Sequence, residues 1–436
     1  MTTGQVLDPR ALGRATLARQ LLLPPGDGPV MVSAAGTSRV LTALDAVAGL
    51  QGQSPNAPYV ALWSRLRDFD PADLTAALLS RQAVRLPLMR GTVHLVTARD
   101  AQIFRPLVQV VLDRAFESQQ FARNIAGVDR ERLLAIARDA TIERPLTRVE
   151  LGRILSRHWP DHDTTSLVYA VTFLMPAIQA PPRGVWGASA APSWTPLDHW
   201  LDGRDGREEF AEFDGVAELD LSHSAADRLA WLFLRYLAAF GPASVRDVQA
   251  WSGLTRMSEI ADRLRPQLRV FRDDGSRELF DLGDAIFPDP EVDVPPRFLG
   301  EYDNVLLAYA DRRRVNPFGY SVPLFPGNGA KKGTVLVDGA FVATWSLINK
   351  SASARSKAVA ATSDSALGSA SDPAEDSALN SALEITLLRP ISPRETEPME
   401  HEARRLLAFL SPDADDPNAG NREIRFVMPA NGAEQR

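Results

Sequence analysis

Ser244-Val245-Arg246-Asp247-Val248-Gln249-Ala250-Trp251-Ser252-Gly253-Leu254-Thr255-Arg256-Met257-Ser258-Glu259-Ile260-Ala261 is the stretch on which the fold turns. Ser244 carries the oxygen that caps one helix, and Thr255 is placed to cap the next. Ahead of it, Ala226 to Phe240 reads as a helix. Behind it, Leu268 to Arg272 and Leu279 to Leu282 read as strands around the turn residues Asp273-Asp274-Gly275. Helices followed by a hairpin make a winged helix.

Working outward, the same order recurs twice upstream. Asp129 to Ala140 predicts a basic helix. Thr147 to Leu155 and Thr165 to Ile178 predict a helix-turn-helix pair, and Gly184-Val185-Trp186-Gly187 its wing. Nearer the start, Asp8-Pro9 opens a helix that runs to Pro24, and Thr37 can cap a second carrying Val40, Leu41, Leu44 and Val47. Tyr59, Leu62, Trp63 and Leu66 form a short core stripe, and Asp70-Pro71 caps a helix through Leu79. Val84 to Leu88 and Thr92 to Val96 then flank Arg90-Gly91 as a hairpin, after which Thr97 caps a long helical segment.

Beyond Pro288 the pattern becomes extended. Val305 to Tyr309, Thr334 to Val337, Phe341 to Trp345 and Glu384 to Leu388 are strand candidates, with Asp338-Gly339 a hairpin turn. Pro393 to Leu410 is an amphipathic helix. The expected fold is mainly α with β (α+β): three tandem winged-helix units and a small C-terminal β-rich, barrel-like unit. The expected division is 1–125, 126–222 with an acidic linker, 223–285 and 286–436, with a disordered Ser/Ala-rich insertion at about 351–381.

Composition narrows the chemistry. There are no cysteines, which excludes disulfides, thiolate metal sites and thiol nucleophiles. His158 and His162 have metal-pair spacing, but Pro160 between them argues against one helix face, so no metal is expected. No apolar run reaches membrane-spanning length, and Met1-Thr2-Thr3-Gly4-Gln5 lacks a secretory signal's character; a cytoplasmic protein is expected. The net charge is −7, yet Arg81 to Arg157 holds 14 arginines against eight acids, so a basic side could meet phosphate. Pro326-Gly327-Asn328-Gly329-Ala330-Lys331-Lys332-Gly333 lacks phosphate-loop spacing and reads as a mobile basic loop.

The stretch that carries chemistry is Leu50-Gln51-Gly52-Gln53-Ser54-Pro55, where a helical pattern stops. If it is extended, Gln51 and Gln53 share one face, with Gly52 opening the backbone between them. Neutral amides are neither strong acids nor strong bases, but their oxygens can hold a water and lie against developing positive charge. A purine alkylated at N7 is already cationic and leaves with little acid assistance. What remains is to stabilise an oxocarbenium-like sugar and aim a water at it. The plainer reading of Gln-x-Gln after a helix is a polar exit turn.

Gly49-Leu50-Gln51-Gly52-Gln53-Ser54-Pro55 resembles the glutamine motif of the winged-helix DNA glycosylases of the AlkZ and YcaQ type. Leu88-Met89-Arg90-Gly91-Thr92-Val93-His94-Leu95 resembles the hairpin that follows in that family. Glu301-Tyr302-Asp303-Asn304-Val305-Leu306-Leu307 with Asp311-Arg312-Arg313, and Gly333-Thr334-Val335-Leu336-Val337-Asp338-Gly339, resemble its later motifs. The resemblance implies a monofunctional DNA glycosylase that removes N7-alkylated guanine adducts, bulky ones and interstrand crosslinks included, from double-stranded DNA. It implies Gln51 and Gln53 as catalytic, on the AlkZ side of the family; Gly52 departs from an aliphatic middle residue. Arg90, His94, Asp303, Asn304, Arg312, Arg313 and Arg314 are the expected DNA-facing residues, with no cofactor and a monomeric protein. The alternative is a non-catalytic winged-helix DNA-binding protein, a regulator or a resistance protein that sequesters a small molecule.

Overall fold

The computed structural model describes residues 5–24, 35–202, 224–323, 332–349, 381–411 and 423–428. The insertion expected at 351–381, apart from its final residue, and the basic loop up to Lys331 lie outside them. The chain divides into two compact units: residues 1–292 with 302–314, and 293–301 with 315–436. Residues 302–314, which the sequence assigns to the β-rich part, fold with the helical unit.

The first unit opens with α1 (Pro9–Arg19), capped by Asp8, whose carboxylate accepts from the Ala11 amide at 2.8 Å. The first winged helix is α2 (Gly36–Ala46), β1 (Leu50–Gln51), α3 (Ala57–Arg65), α4 (Pro71–Leu79), β2 (Ala83–Pro87) and β3 (Val93–Thr97). Its sheet order is β1-β3-β2, so the short strand after the first helix pairs with the last strand of the hairpin. Thr37 does not cap α2: the N-cap position is Ala35, and no side chain bonds there. Three short helices follow where one long one is expected, α5 (Ala98–Leu107), α6 (Gln109–Glu117) and α7 (Gln120–Asn124). Thr97 caps α5, and Pro106 ends it early.

The second winged helix repeats the order with α8 (Arg130–Glu143), β4 (Leu146–Thr147), α9 (Arg148–His158), α10 (Thr164–Leu174), β5 (Ala177–Ala180) and β6 (Ser193–Pro196). Its sheet order, β4-β6-β5, is the same pattern. Thr147 and Glu150 form a reciprocal capping box on α9. A short helix, α11 (Leu197–Leu201), leads out. The third unit is α12 (Ala225–Phe240), α13 (Val245–Ser252), α14 (Met257–Leu264), β7 (Leu268–Arg272) and β8 (Glu278–Leu282). Its first strand shrinks to one residue: Ala243 exchanges two backbone hydrogen bonds with Phe280 on β8, at 3.0 and 2.8 Å. Ser244 caps α13 with Asp247 as its reciprocal partner. Thr255 does not cap α14. Arg256, at φ 60°, holds that position, and Gln249 accepts from the Met257 amide instead.

One apolar core runs through the first and third winged helices, from Leu86, Val96 and Phe104 to Trp231, Tyr236, Phe240 and Trp251, all buried. The second has its own core around Phe116, Leu133, Leu151, Leu167 and Trp194. The run Val305 to Tyr309 is not a strand. It overlaps a one-turn helix, α15 (Asn304–Leu307), which Asp303 caps and which buries Val305 and Leu306 while Leu307 is half-buried.

In the second unit β9 (Arg297–Leu299), β10 (Gly333–Val337), β11 (Ala340–Asn349), β12 (Ser381–Leu387) and β13 (Ile424–Val427) form one sheet in the order β13-β12-β11-β10-β9. Asp338 and Gly339 turn it with φ of 47° and 77°, the left-handed pair a two-residue hairpin needs. Among the described residues the sheet is open, with β9 and β13 as its edges, rather than a closed barrel. α16 (Pro393–Leu410) buries Met399, Ala403, Leu406 and Leu407. Among the described residues no helix is long and apolar enough to cross a membrane.

Candidate functional site

The glutamine stretch lies on the edge strand of the first winged helix, at the exit of α2. Ala48 and Gly49 take φ of 54° and 81° to turn the chain into β1. Any Cβ on Gly49 would fall 2.4 Å from Val96 Cγ1, so only glycine allows this turn against β3. Leu50 then pairs with Leu95, and Gln51 with His94. Directly opposed residues share a face, so Gln51 and His94 point to the same side of the sheet.

Arg90 sits at the tip of the hairpin with φ 57°, followed by Gly91 at 71°. This sharp turn brings the guanidinium back over the sheet. Its Nη2 donates to Gln51 Oε1 at 2.9 Å and its Nη1 to the Trp251 carbonyl at 2.7 Å, which ties the first winged helix to the third. Burial first, and then nearby Arg312, lower the Arg90 pKa to about 10. The backbone N–H of Val93 donates to Gln53 Oε1 at 3.3 Å. Both partners can only donate, so the orientation of each amide is set by chemistry: the oxygens face the hairpin. Gln51 is buried at 7% exposure, while Gln53 is exposed. Each amide oxygen keeps a second lone pair that a water proton can occupy.

His94 is buried behind this pair at 1% exposure. Its Nδ1 meets the Thr92 carbonyl at 2.9 Å, and its Nε2 has no partner. The carbonyl can only accept, so Nδ1 carries the proton and Nε2 is a bare acceptor. Burial first, and then Arg90, push the imidazole pKa down to about 3. It is neutral at physiological pH.

Asp303 and Asn304 lie in the interior, and the expectation that they contact DNA gives way to a supporting position. Arg65 grips the Asp303 carboxylate with both Nη atoms at 2.8 Å, and both side chains are 0% exposed. Asn304 Nδ2 donates to the carbonyls of Gly49 at 2.6 Å and Val47 at 3.3 Å, bracing the turn that leads into Gln51.

The three consecutive arginines part company. Arg312 is half-buried, bonds the Leu306 carbonyl at 2.7 Å, and lies close enough to Arg90 to repel it. Arg313 is exposed but ion-paired with Asp274 and Asp311. Arg314 stacks on Tyr309 at 3.9 Å and donates to the Pro242 carbonyl at 2.9 Å. Part of the basic excess between Arg81 and Arg157 is likewise already engaged within the protein. Arg85 and Arg105 are buried, and Arg130, Arg138 and Arg144 are paired with acids.

Two residues of the site escaped sequence reasoning, Arg65 and Arg85. The available signal was an arginine set in an apolar run, as in Ala83-Val84-Arg85-Leu86-Pro87, because a buried guanidinium needs acceptors supplied from elsewhere. Among the described residues no cluster of His, Asp and Glu could hold a metal ion.

Three winged helices in tandem, with arginines held beside an amide pair on the first, define a winged-helix protein that acts on DNA. The profile of the family described as DNA glycosylase AlkZ-like matches residues 44–409, and the chain belongs to that family. It is a DNA glycosylase. Its structure is similar to that of the Streptomyces sahachiroi DNA glycosylase AlkZ, with a TM-score of 0.65 over 97% of this chain and 100% of that one. The two are 16% identical, so this likeness speaks to the fold. No curated protein matches the chain.

Proposed function

We propose that this glycosylase hydrolyses the N-glycosidic bond of N7-alkylated purines in duplex DNA, bulky guanine adducts and interstrand crosslinks included. The observation that carries the reading is the character of the groups around Gln51 and Gln53. Among the described residues the ionisable side chain bonded to the pair is Arg90, with Arg312 and His94 beside it, and none of these three is a carboxylate. None of these three is suited to act as a general acid for the leaving base, which favours a base that brings its own positive charge, as an N7-alkylpurine does. Each amide oxygen, through its second lone pair, accepts a hydrogen bond from the attacking water, whose proton is lost to solvent after attack, and sets its partial negative charge beside the cationic sugar.

Arg90 and Arg312 are held by amide and carbonyl oxygens rather than by carboxylates. Two uncompensated guanidiniums beside a site where positive charge develops need an anion, and a flanking phosphate supplies it. The chain has no lysine before Lys331, so the winged-helix unit offers no lysine amine to attack the sugar. This favours simple hydrolysis over strand cleavage through a Schiff base. No cofactor is required, and a monomer suffices. An open cleft suits a bulky adduct better than a snug flipped-base pocket does.

The test is release of modified base from duplexes carrying N7-methylguanine or an N7-linked crosslink, by wild type, Gln51→Ala, Gln53→Ala and the double variant. Losing one preorganised polar contact is expected to slow release by ~10²-fold or more. DNA affinity stays within a few-fold. Undiminished release by the double variant overturns the reading, and duplex binding without release by wild type favours the non-catalytic DNA-binding protein.

A further inference from the structure

One register position beyond Gln51 and His94, at the end of the ladder, Gly52 faces Val93. A regular antiparallel pair there exchanges two backbone hydrogen bonds. Gly52 N–H does donate to the Val93 carbonyl, at 2.7 Å. The return bond is replaced. The Gly52 carbonyl accepts from Arg85 Nη2 at 2.7 Å, and the Val93 N–H goes to Gln53 Oε1 at 3.3 Å. Arg85 and Gln53 have thus taken the two partners that the ladder would have joined to each other.

The alternation of side chains explains why this is possible. Gln51 shares a face with His94, so position 52 turns to the other. That other face carries Leu50, Leu95 and, paired with Leu95, Arg85. A Cβ on Gly52 would lie 3.1 Å from Arg85 Nη1. From the opposite side, Gly184 on the wing of the second winged helix has φ +91°, and its Cβ would lie 2.5 Å from Arg85 Cδ. Tyr59 fastens that wing by donating its hydroxyl to the Gly184 carbonyl at 2.8 Å. The guanidinium is held between two glycines at 2% exposure, with Gln179 Oε1 as a second acceptor at 3.5 Å and no hydrogen-bond partner for its Nε. Burial, and then Arg183, lower its pKa to about 10. A buried arginine with an unpaired nitrogen is a costly way to gain stability alone.

We propose that Arg85 is the positioning residue of the glutamine pair: it draws off the Gly52 carbonyl and so frees the Val93 N–H to hold the Gln53 amide, while the second winged helix keeps Arg85 in place through Gly184. This rests on the reading of Gln51 and Gln53 as catalytic. Without Arg85 the Gly52 carbonyl returns to Val93, and the Gln53 side chain loses its anchor.

The experiment compares single-turnover release and DNA affinity for wild type, Arg85→Met, Arg85→Lys, Gly184→Ala and Gln53→Ala. A displacement of order 1 Å in a catalytic group costs ~10²-fold. Arg85→Met is therefore expected to lower the release rate at saturating enzyme by ~30- to 100-fold, with DNA affinity within about threefold. Arg85→Lys, which keeps a donor, recovers part of the loss. Gly184→Ala, on a different winged helix, reproduces it. If Gln53→Ala is inactive while folded Arg85→Met and Gly184→Ala release base at the wild-type rate, the proposal falls and the glutamine reading stands. If Gln53→Ala is fully active, the glutamine reading itself fails. Should Arg85→Met not fold, Gly184→Ala and Arg85→Lys decide, and equal losses of affinity and rate in both would mark Arg85 as a structural residue only.

Discussion

Asp303→Asn separates a DNA-facing carboxylate from a structural one. Asp303 and Arg65 are joined by two 2.8 Å hydrogen bonds, and neither side chain is exposed. The substitution keeps the volume and removes the charge, leaving the Arg65 guanidinium buried and uncompensated. Breaking such a pair from one side costs ~3–5 kcal/mol. For a cooperative unit of this size each kcal/mol moves the midpoint by about 2 °C, so Tm is expected to fall by ~6–10 °C. Thermal unfolding followed by near-ultraviolet circular dichroism reads this directly. Some base-release activity is also lost, because Asp303 caps the helix whose Asn304 braces the carbonyls of Val47 and Gly49 ahead of Gln51. DNA affinity and its salt dependence stay unchanged. A carboxylate lining the cleft gives the opposite result: Tm holds, and binding tightens as a repulsive charge is removed. That outcome would refute the internal placement of Asp303.

Two arginines are expected to divide their effects. Arg90→Met removes the donors on Gln51 Oε1 and the Trp251 carbonyl, and release slows by ~10²-fold at saturating enzyme, more than affinity falls. Arg312→Met weakens duplex binding and reduces the salt slope by about one, with release at saturation retained; the reverse pattern would exchange the two roles. His94 adds a pH dependence. Its folded pKa of about 3 lies below the ordinary value near 6.5, so the unfolded chain takes up the proton first. Its contribution is complete above pH 6.5 and is lost as pH falls toward 3, amounting to ~2 kcal/mol between pH 7 and pH 5. Urea unfolding at the two pH values should show a drop smaller by that amount in His94→Gln; parallel drops would mean that His94 titrates normally.

What the sequence determined by itself is local. Asp8, Asp70, Thr97 and Ser244 cap the helices they were expected to cap, and Asp129 and Thr147, read only as the starts of helices, cap theirs too, because a cap bonds the backbone two or three residues away. The threefold succession of helices and hairpin was legible for the same reason, since apolar spacing and turn residues report on neighbours in the chain. Thr37 and Thr255 failed where a left-handed glycine or arginine began the helix instead. The glutamine stretch could be picked out, but not what holds it. Arg65 finds Asp303 238 positions away, Arg90 finds the Trp251 carbonyl 161 away, and Arg85 closes on Gly52 and Gln179 from another strand and another winged helix. In sequence, all of these arginines and acids look equally able to face DNA. Tertiary packing decides which keep their charge for solvent, because a buried guanidinium persists only where distant parts of the chain converge to supply its acceptors.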